Sequence, residues 1–585
     1  MRLTDRHFRV ASFNRRGRHP VRAVIVALAA TVWLGACAQP AKQAGGTLAK
    51  SRTASPFGDY LAGRYARSQN DLSAAAKYYL RALDEDPNNA SLLRRSFALA
   101  VQDGQFDRAV PLARRMAQTK PANSIASLLL VLDDLKRERF KRALARLDES
   151  PSSGFNALLG PVLRAWIDAG QRRFDAALDE LAALDKEESF HPFRDFHQAL
   201  IADLAGRGEE AEAAYRAATI SSRGSIHVLI NFGRFLERAG RADEARKLYR
   251  DYLEKYPQNP LVMAEVSRLD GGLAPTRLVN GPAEGVAEAL YGTAQALAQE
   301  NAWPAATIYL RIATFLKPDF ADAYYLLGNI KGNLGEYESA LTEFRRIPET
   351  AAIARNTKLQ IALVLNRLDR PDEALALLET LIAKRPDDVQ ALTTMADVLR
   401  ERERFAEASD YYTRALNAVG EVSARHWLLY YARGITYERT KNWDKAEKDF
   451  LKALELSPEQ PLVLNYLGYS WVEMGRNVKR AREMIERAVA LRPNDGYIVD
   501  SLGWALYRLG EFDAAVTTLE RAVVLRPEDP TINDHLGDAY WQVGRRLEAR
   551  FQWRHALALG PEEEAIAAIE AKLRSGPVTA ENGER

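Results

Sequence analysis

The chain has 585 residues, 47% hydrophobic and 27% charged, with 35 Gly, 25 Pro and a single Cys. That composition is long and apolar enough to bury a large core, and it excludes collagen-like, disulfide-stapled and low-complexity chains. The net charge of +3 divides unevenly: residues 1–22 carry seven Arg and one Asp, about +6, so the rest sits near −3 (3 minus 6). A nucleic-acid binder keeps a basic surface on its folded body, and this balance excludes one.

The basic stretch leads into "AVIVALAATVWL" (23–34) and then "GACAQP". A positive region, a short apolar run and small residues before a cleavage site predict a bacterial export signal over 1–36. Twelve apolar residues span about 18 Å as a helix, short of the roughly 30 Å hydrocarbon core, and Gly35 and Pro40 suit a spanning helix poorly. The one cysteine, Cys37, falls in "LGAC", which resembles the lipobox of bacterial lipoproteins. The resemblance implies that Cys37 is diacylated and becomes the first mature residue. Ala38 follows, where Asp favours inner-membrane retention in many Gram-negative bacteria. The implied location is therefore the cell outer membrane, lipid-anchored on its periplasmic face. Residues 37–55 are then the lipidated Cys and a flexible, small-residue tether, whose eighteen residues after Cys37 reach at most about 60 Å.

From residue 56 one pattern recurs. Small residues stand at Ala75, Ala109, Ala143, Ala177, Ala211 and Ala245, each 34 from the last. After a break, Ala306, Ala340, Ala374 and Ala408 resume the step, and Ala446, Ala481, Ala515 and Ala549 follow at near-identical spacing. This phase predicts about fourteen repeats. In "YYLLGNIKGNLGEYESALTEFRRI", Tyr324, Leu327, Gly328 and Lys331 share one helix face, and Ala340, Phe344 and Ile347 form the facing one. Gly335 permits the turn between them. No such pair buries its apolar face alone, so neighbours must stack.

The spacing and residue types resemble the tetratricopeptide repeat (TPR), W-x2-L-G-x2-Y, then A-x3-F, then P. The match covers roughly 56–562, strongest from 321 onward and weakest between 124 and 220. It implies an all-α TPR α-solenoid, a right-handed superhelix of antiparallel helix pairs, in two superhelical blocks. The Gly- and Pro-rich "DGGLAPTRLVNGPAEG" breaks the phase. The expected domains are an N-terminal TPR block over 56–269, a linker over 270–285, a C-terminal TPR block over 286–562, a capping helix over 563–575 and a disordered tail over 576–585.

Reaction machinery is not legible. H-E-x-x-H, G-x-S-x-G, a phosphate-binding Gly loop and C-x-x-C are all missing from the sequence. His227, His426, His535 and His555 lie in different repeats, and His191 and His197 are six apart, a poor spacing for shared ligation. The sequence therefore predicts no enzyme, no metal and no cofactor. An enzyme within 124–220 would require a local loss of helical pattern.

In the repeat family the first helix of each pair lines the concave face. The resemblance then places a partner-binding groove at Tyr431; Asn465 and Tyr469; Tyr497, Asp500, Trp504 and Tyr507; Asp534, Asp538 and Trp541. That stripe is aromatic and acidic, suited to an apolar and basic partner, though large rings equally suit packing between helices. A carboxylate clamp for acidic tails is disfavoured, because Asp500, Asp534 and Asp538 stand where it needs positive charge. Runs such as "NYLGYSWVEMGRNVKRAREMIERAVALRPNDGYIVDSLGWALYRLG" resemble large TPR lipoproteins of proteobacteria. Some of these are adaptors for periplasmic carboxyl-terminal processing proteases that degrade peptidoglycan hydrolases. The resemblance implies a non-catalytic scaffold binding other envelope proteins, with an assembly factor for an exopolysaccharide or pilus secretion channel as the alternative.

Overall fold

The computed structural model describes residues 56–69, 71–118, 123–149, 155–256 and 259–577. The export signal, Cys37 and the tether lie outside the described residues, as does the predicted tail from 578 on. The chain forms two compact units that divide between Pro386 and Asp387. Among the described residues both are built from helices, with no strand.

The first unit opens with the pairs α1 (Pro56–Ser68) and α2 (Leu72–Glu85), then α3 (Ala90–Gln102) and α4 (Phe106–Met116). Next come α5 (Ser124–Lys136) with α6 (Phe140–Asp148), and α7 (Phe155–Gly170) with α8 (Phe174–Leu181). The pairs α9 (His191–Ala205) and α10 (Gly208–Ser221), then α11 (Ile226–Arg238) and α12 (Ala242–Lys255), lead to an unpaired α13 (Pro260–Asp270). Beyond it follow α14 (Pro282–Gln299) with α15 (Trp303–Leu316), α16 (Ala321–Asn333) with α17 (Tyr337–Phe344), and α18 (Ala354–Arg367) with α19 (Pro371–Lys384).

The second unit contains α20 (Val389–Glu401) with α21 (Phe405–Ala418), and α22 (Trp427–Arg439) with α23 (Trp443–Leu456). It continues through α24 (Pro461–Glu473) with α25 (Val478–Leu491), α26 (Gly496–Arg508) with α27 (Phe512–Leu525), and α28 (Pro530–Gln542) with α29 (Arg546–Ala558). A final helix, α30 (Glu563–Ser575), follows. These make fourteen pairs among the described residues, the number read from the alanine phase.

Every alanine of that phase is the fourth residue of the second helix of its pair. All fourteen are fully buried, at 0% exposure. A methyl group at that place lets two helix backbones approach closely, and large side chains then fill the next turn. In the α16–α17 pair the close approach also requires Gly328, because an added Cβ would stand within 3 Å of the Phe344 ring. Most of the face predicted there is observed: Tyr324, Leu327, Gly328 and Lys331 are buried with Ala340 and Phe344, but α17 ends at Phe344 and Ile347 lies beyond it, half-buried. Lys331 reaches a rim acid, donating to Glu336 at 2.6 Å.

Residues 124–220, where the repeat signature is weakest, remain paired helices, α5 to α10. Short 3-10 turns at Ala182–Lys186 and Glu188–Phe190 take up the extra length between α8 and α9.

The predicted linker differs from expectation. Residues 271–281 are non-helical, but α14 starts at Pro282, inside the expected 270–285 segment. That segment lies within the first unit, with Val279 buried at 4% and Lys317 Nζ donating to the Leu278 carbonyl at 3.3 Å. Its effect is to turn the chain back: α14 packs on α5, α7 and α9, and α15 packs on α3 and α5.

A buried ion pair braces the returning helices. Arg311 of α15 donates to both Glu343 oxygens of α17, at 2.8 and 2.6 Å, and both side chains are 5% exposed. Its Nε donates to the Gln102 carbonyl at the end of α3, at 2.9 Å. Removing one partner of such a pair strands the other charge and costs about 3–5 kcal/mol, whereas exposed pairs contribute about 0–1 kcal/mol. Thermal or urea melts of the full chain should therefore show a loss of that size for Glu343→Ala. Glu407→Ala, which breaks the exposed Arg404–Glu407 pair, should melt close to the parent.

Candidate partner-binding face

If the first helices of the pairs present the inner face, α3, α5, α7, α9 and α11 form one stretch of that face in the first unit. It is already occupied by the chain's own α14 and α15. Gly285 lies directly on the buried Trp166 ring, and any Cβ there would overlap it. Phe315 packs on Phe106 with ring centroids 4.7 Å apart. Lys136 donates to the Phe315 carbonyl and caps its ring at 4.3 Å.

Two histidines finish this junction. Trp166 Nε1 donates to His197 Nδ1 at 3.1 Å, so His197 holds its proton on Nε2 and is neutral. Burial, with His227 nearby, pushes its pKa down to about 3. His227 of α11 meets Glu288 of α14 at 3.1 Å. Burial alone would lower its pKa, but the Glu288 hydrogen bond and charge outweigh it and the pKa is raised. His191, six residues before His197, sits apart from it, 3.3 Å from the Asp185 carbonyl. Among the described residues no three metal-ligating side chains converge.

In the second unit the ten predicted groove residues come together in part. Seven of them (Tyr431, Asn465, Tyr469, Asp500, Trp504, Asp534 and Asp538) are buried, at 2–7% exposure. Tyr497, Tyr507 and Trp541 are half-buried. Some aromatics pack between neighbouring first helices, as where Tyr431 of α22 meets Tyr466 of α24 edge-on at 6.1 Å, while Trp504 stacks on Tyr507 of its own helix at 4.8 Å. Two members keep unsatisfied polar atoms, since Tyr431 Oη and Asn465 Oδ1 are buried with no hydrogen-bond partner.

The aspartates expected to face a basic partner are engaged internally, which corrects the acidic reading of the stripe. His535 Nδ1 donates to Asp500 at 3.0 and 3.1 Å, and its ring stacks on Trp504 at 4.1 Å. Lys572 of α30 donates to Asp534 at 2.8 and 2.9 Å and to Asp538 at 2.7 Å. Trp553 Nε1 donates to the other Asp538 oxygen at 3.0 Å. Lys572 and His535 are the residues that the sequence pattern did not single out for this role. A usable signal existed: acids at i and i+4 on an apolar first helix must be satisfied when buried, and the final helix α30 offers a lysine.

The helix pairs, the buried small residue in each second helix and the packed first helices define a TPR solenoid. Profiles described as tetratricopeptide repeat match residues 60–124, 226–269, 321–347, 349–421 and 427–460, and one described as TPR repeat matches 503–544. The chain carries tetratricopeptide repeats. Such repeats mediate contacts between proteins, and the scaffold is typically non-catalytic.

Among curated proteins, a TPR repeat-containing protein of Pseudomonas aeruginosa is 27% identical over 191 residues, covering 32% of this chain and 31% of that one. Superkiller complex protein 3 of Mus musculus is 30% identical over 129 residues, 21% of this chain and 8% of its own. Neither match spans more than a third of the relative's length. The crystal structure of the APC/C hetero-tetramer Cut9-Hcn1 aligns over 90% of this chain and 96% of that one, with 16% identity and a TM-score of 0.37.

The Asp500–His535–Asp534–Asp538–Lys572 cluster predicts a pH dependence. Burial and the neighbouring Asp534 raise the Asp538 carboxyl to about 6, against the opposing pull of Lys572. Burial opposes charging His535, but Asp500 outweighs it and the pKa is raised. Both groups hold protons in the folded state at pH values where the unfolded chain has released them. Their contribution is therefore largest at mildly acidic pH and is lost as pH rises through their folded pKa values. Melts at about pH 5.5 and pH 8 should show the parent gaining stability at the lower pH relative to the variant His535→Gln with Asp538→Asn.

Proposed function

We propose that the protein is a non-catalytic adaptor, lipid-anchored at Cys37 on the periplasmic face of the outer membrane. It docks a periplasmic carboxyl-terminal processing protease together with that protease's cell-wall hydrolase substrates. The lipobox-like "LGAC" behind an export signal supports the location. The resemblance of the repeat array to proteobacterial TPR lipoproteins supports the class of partner.

The observation that carries the binding role is the contrast between the two inner faces. In the first unit α14 and α15 fill the first-helix face. In the second unit Tyr497 and Tyr507 remain half-buried. Tyrosine supplies rigid, amphipathic contact area at small entropic cost. The mechanism is effective concentration: protease and substrate held on one scaffold meet as if tethered, without new chemistry.

The test is a mild-detergent pull-down of the full-length protein from its own envelope, read by mass spectrometry beside a bait carrying Tyr497→Ala and Tyr507→Ala. A protease and cell-wall hydrolases should be recovered with the parent and lost with the variant. Polysaccharide or pilus channel components in their place would establish the assembly-factor alternative. The same partners on both baits would remove the second-unit face from the binding role.

A further inference from the structure

The first helix of the array presents a row of large apolar side chains to solvent. On α1, Phe57, Leu61 and Tyr65 are 80%, 58% and 68% exposed, and their spacing of four puts them on one side of the helix. Most other exposed large apolar residues stand singly or in twos along a helix, a normal feature of protein surfaces. The opposite side of α1 is anchored to the body: Tyr60 packs edge-on against Tyr79 at 5.7 Å, Asp59 accepts from Arg81, and Gly63 lies against the Tyr79 ring. The row therefore occupies the end of the stack, where a further repeat would otherwise sit. Terminal helices of solenoids ordinarily carry a polar outer face. The cap α30 does so, with Glu562, Glu563, Glu564 and Glu570 exposed.

We infer that the outer face of α1 seats on an anionic lipid surface, with Phe57, Leu61 and Tyr65 entering the headgroup layer. The charge is of the right sign. Arg64 and Arg67 are exposed on the same helix, and among the described residues neither is paired with an acid, while the one acid of the helix, Asp59, is taken by Arg81. The size also fits. Three side chains bury a few hundred Å² at most, roughly a quarter of the 1,200 Å² or more that a stable protein interface needs. A shallow row of aromatic and aliphatic residues with arginines beside it is what an interfacial helix requires. The reach agrees as well. Eighteen residues separate Cys37 from Pro56, so a chain anchored at Cys37 keeps α1 within about 60 Å of the bilayer. This inference rests on the lipid-anchor reading for its geometry, and its test separates the two.

The full chain is reconstituted in vesicles of phosphatidylethanolamine and phosphatidylglycerol, with a nitroxide on Leu61→Cys and a control label on Asp84→Cys of α2, both solvent-exposed positions. The mass of the N-terminal peptide reports independently whether Cys37 carries lipid. The position-61 label should become accessible to oxygen and shielded from a polar relaxation agent, and the position-84 label should not. A Cys37→Ser chain, with no anchor, should still bind the same vesicles in a salt-sensitive way. Phe57→Ser with Leu61→Ser and Tyr65→Ser should weaken that binding about tenfold or more at an unchanged melting temperature. Equal polar accessibility at both labels, or equal vesicle binding by the triple variant, overturns the inference. So does shielding of position 61 in vesicle-free solution that grows with protein concentration, which would assign the face to a second copy. An unmodified Cys37 with intact vesicle binding would remove the anchor and leave the surface standing.

Discussion

Two helices joined by a tight turn have more apolar surface than they can cover between themselves, and the whole molecule is a response to that deficit. Close approach within each pair depends on a methyl-sized residue at the fourth position of every second helix, fully buried in all fourteen cases. Once the backbones are that near, rings such as Phe344, Phe450 and Trp553 fill the next turn against Gly328, Gly434 and Gly537. The outer flank of each pair is then left for its neighbour. Stacking is a consequence of the local shortage of cover, and each unit has a core made of contributions from many successive pairs.

The same shortage explains why the inner face of the first unit is full. A first-helix face made of Trp166, Phe193, His197 and their neighbours is too apolar to stay wet, and the chain returns through residues 271–281 to cover it with α14 and α15. The returning helix suits the task. Gly285, Val286, Ala287, Ala289, Leu290 and Ala294 of α14 are all buried, so small and medium residues occupy several of its sides. A helix apolar nearly all round belongs in an interior.

Charge inside the array follows the rule that a buried ion must be paired. Asp133 and Asp134 are met by Arg114, Arg137, Arg139, Arg142 and Arg146. Glu265 and Glu237 are met by Arg234 and Arg268, and Asp534 with Asp538 by Lys572. Much of what looks in sequence like a charged solvent face is internal bonding between repeats. The first-helix face of the second unit is consequently more aromatic and less acidic than its residue types suggest.

Sequence alone determined the helix pairs, their number and the buried alanine of each. All of these are set by interactions within a few tens of residues, and a fixed period writes them repeatedly. Tertiary structure alone decided what covers each face. Side-chain periodicity states that Asp534, Asp538 and Trp504 lie on a first helix, but the cover comes from Lys572 and His535 on neighbouring turns of the array. Likewise, nothing in the local pattern of α3 to α9 announces that helices more than a hundred residues downstream of α7 will fill their inner side. A face's demand for burial is local, whereas the choice of what meets that demand depends on how the chain closes on itself, and only the folded molecule carries that information.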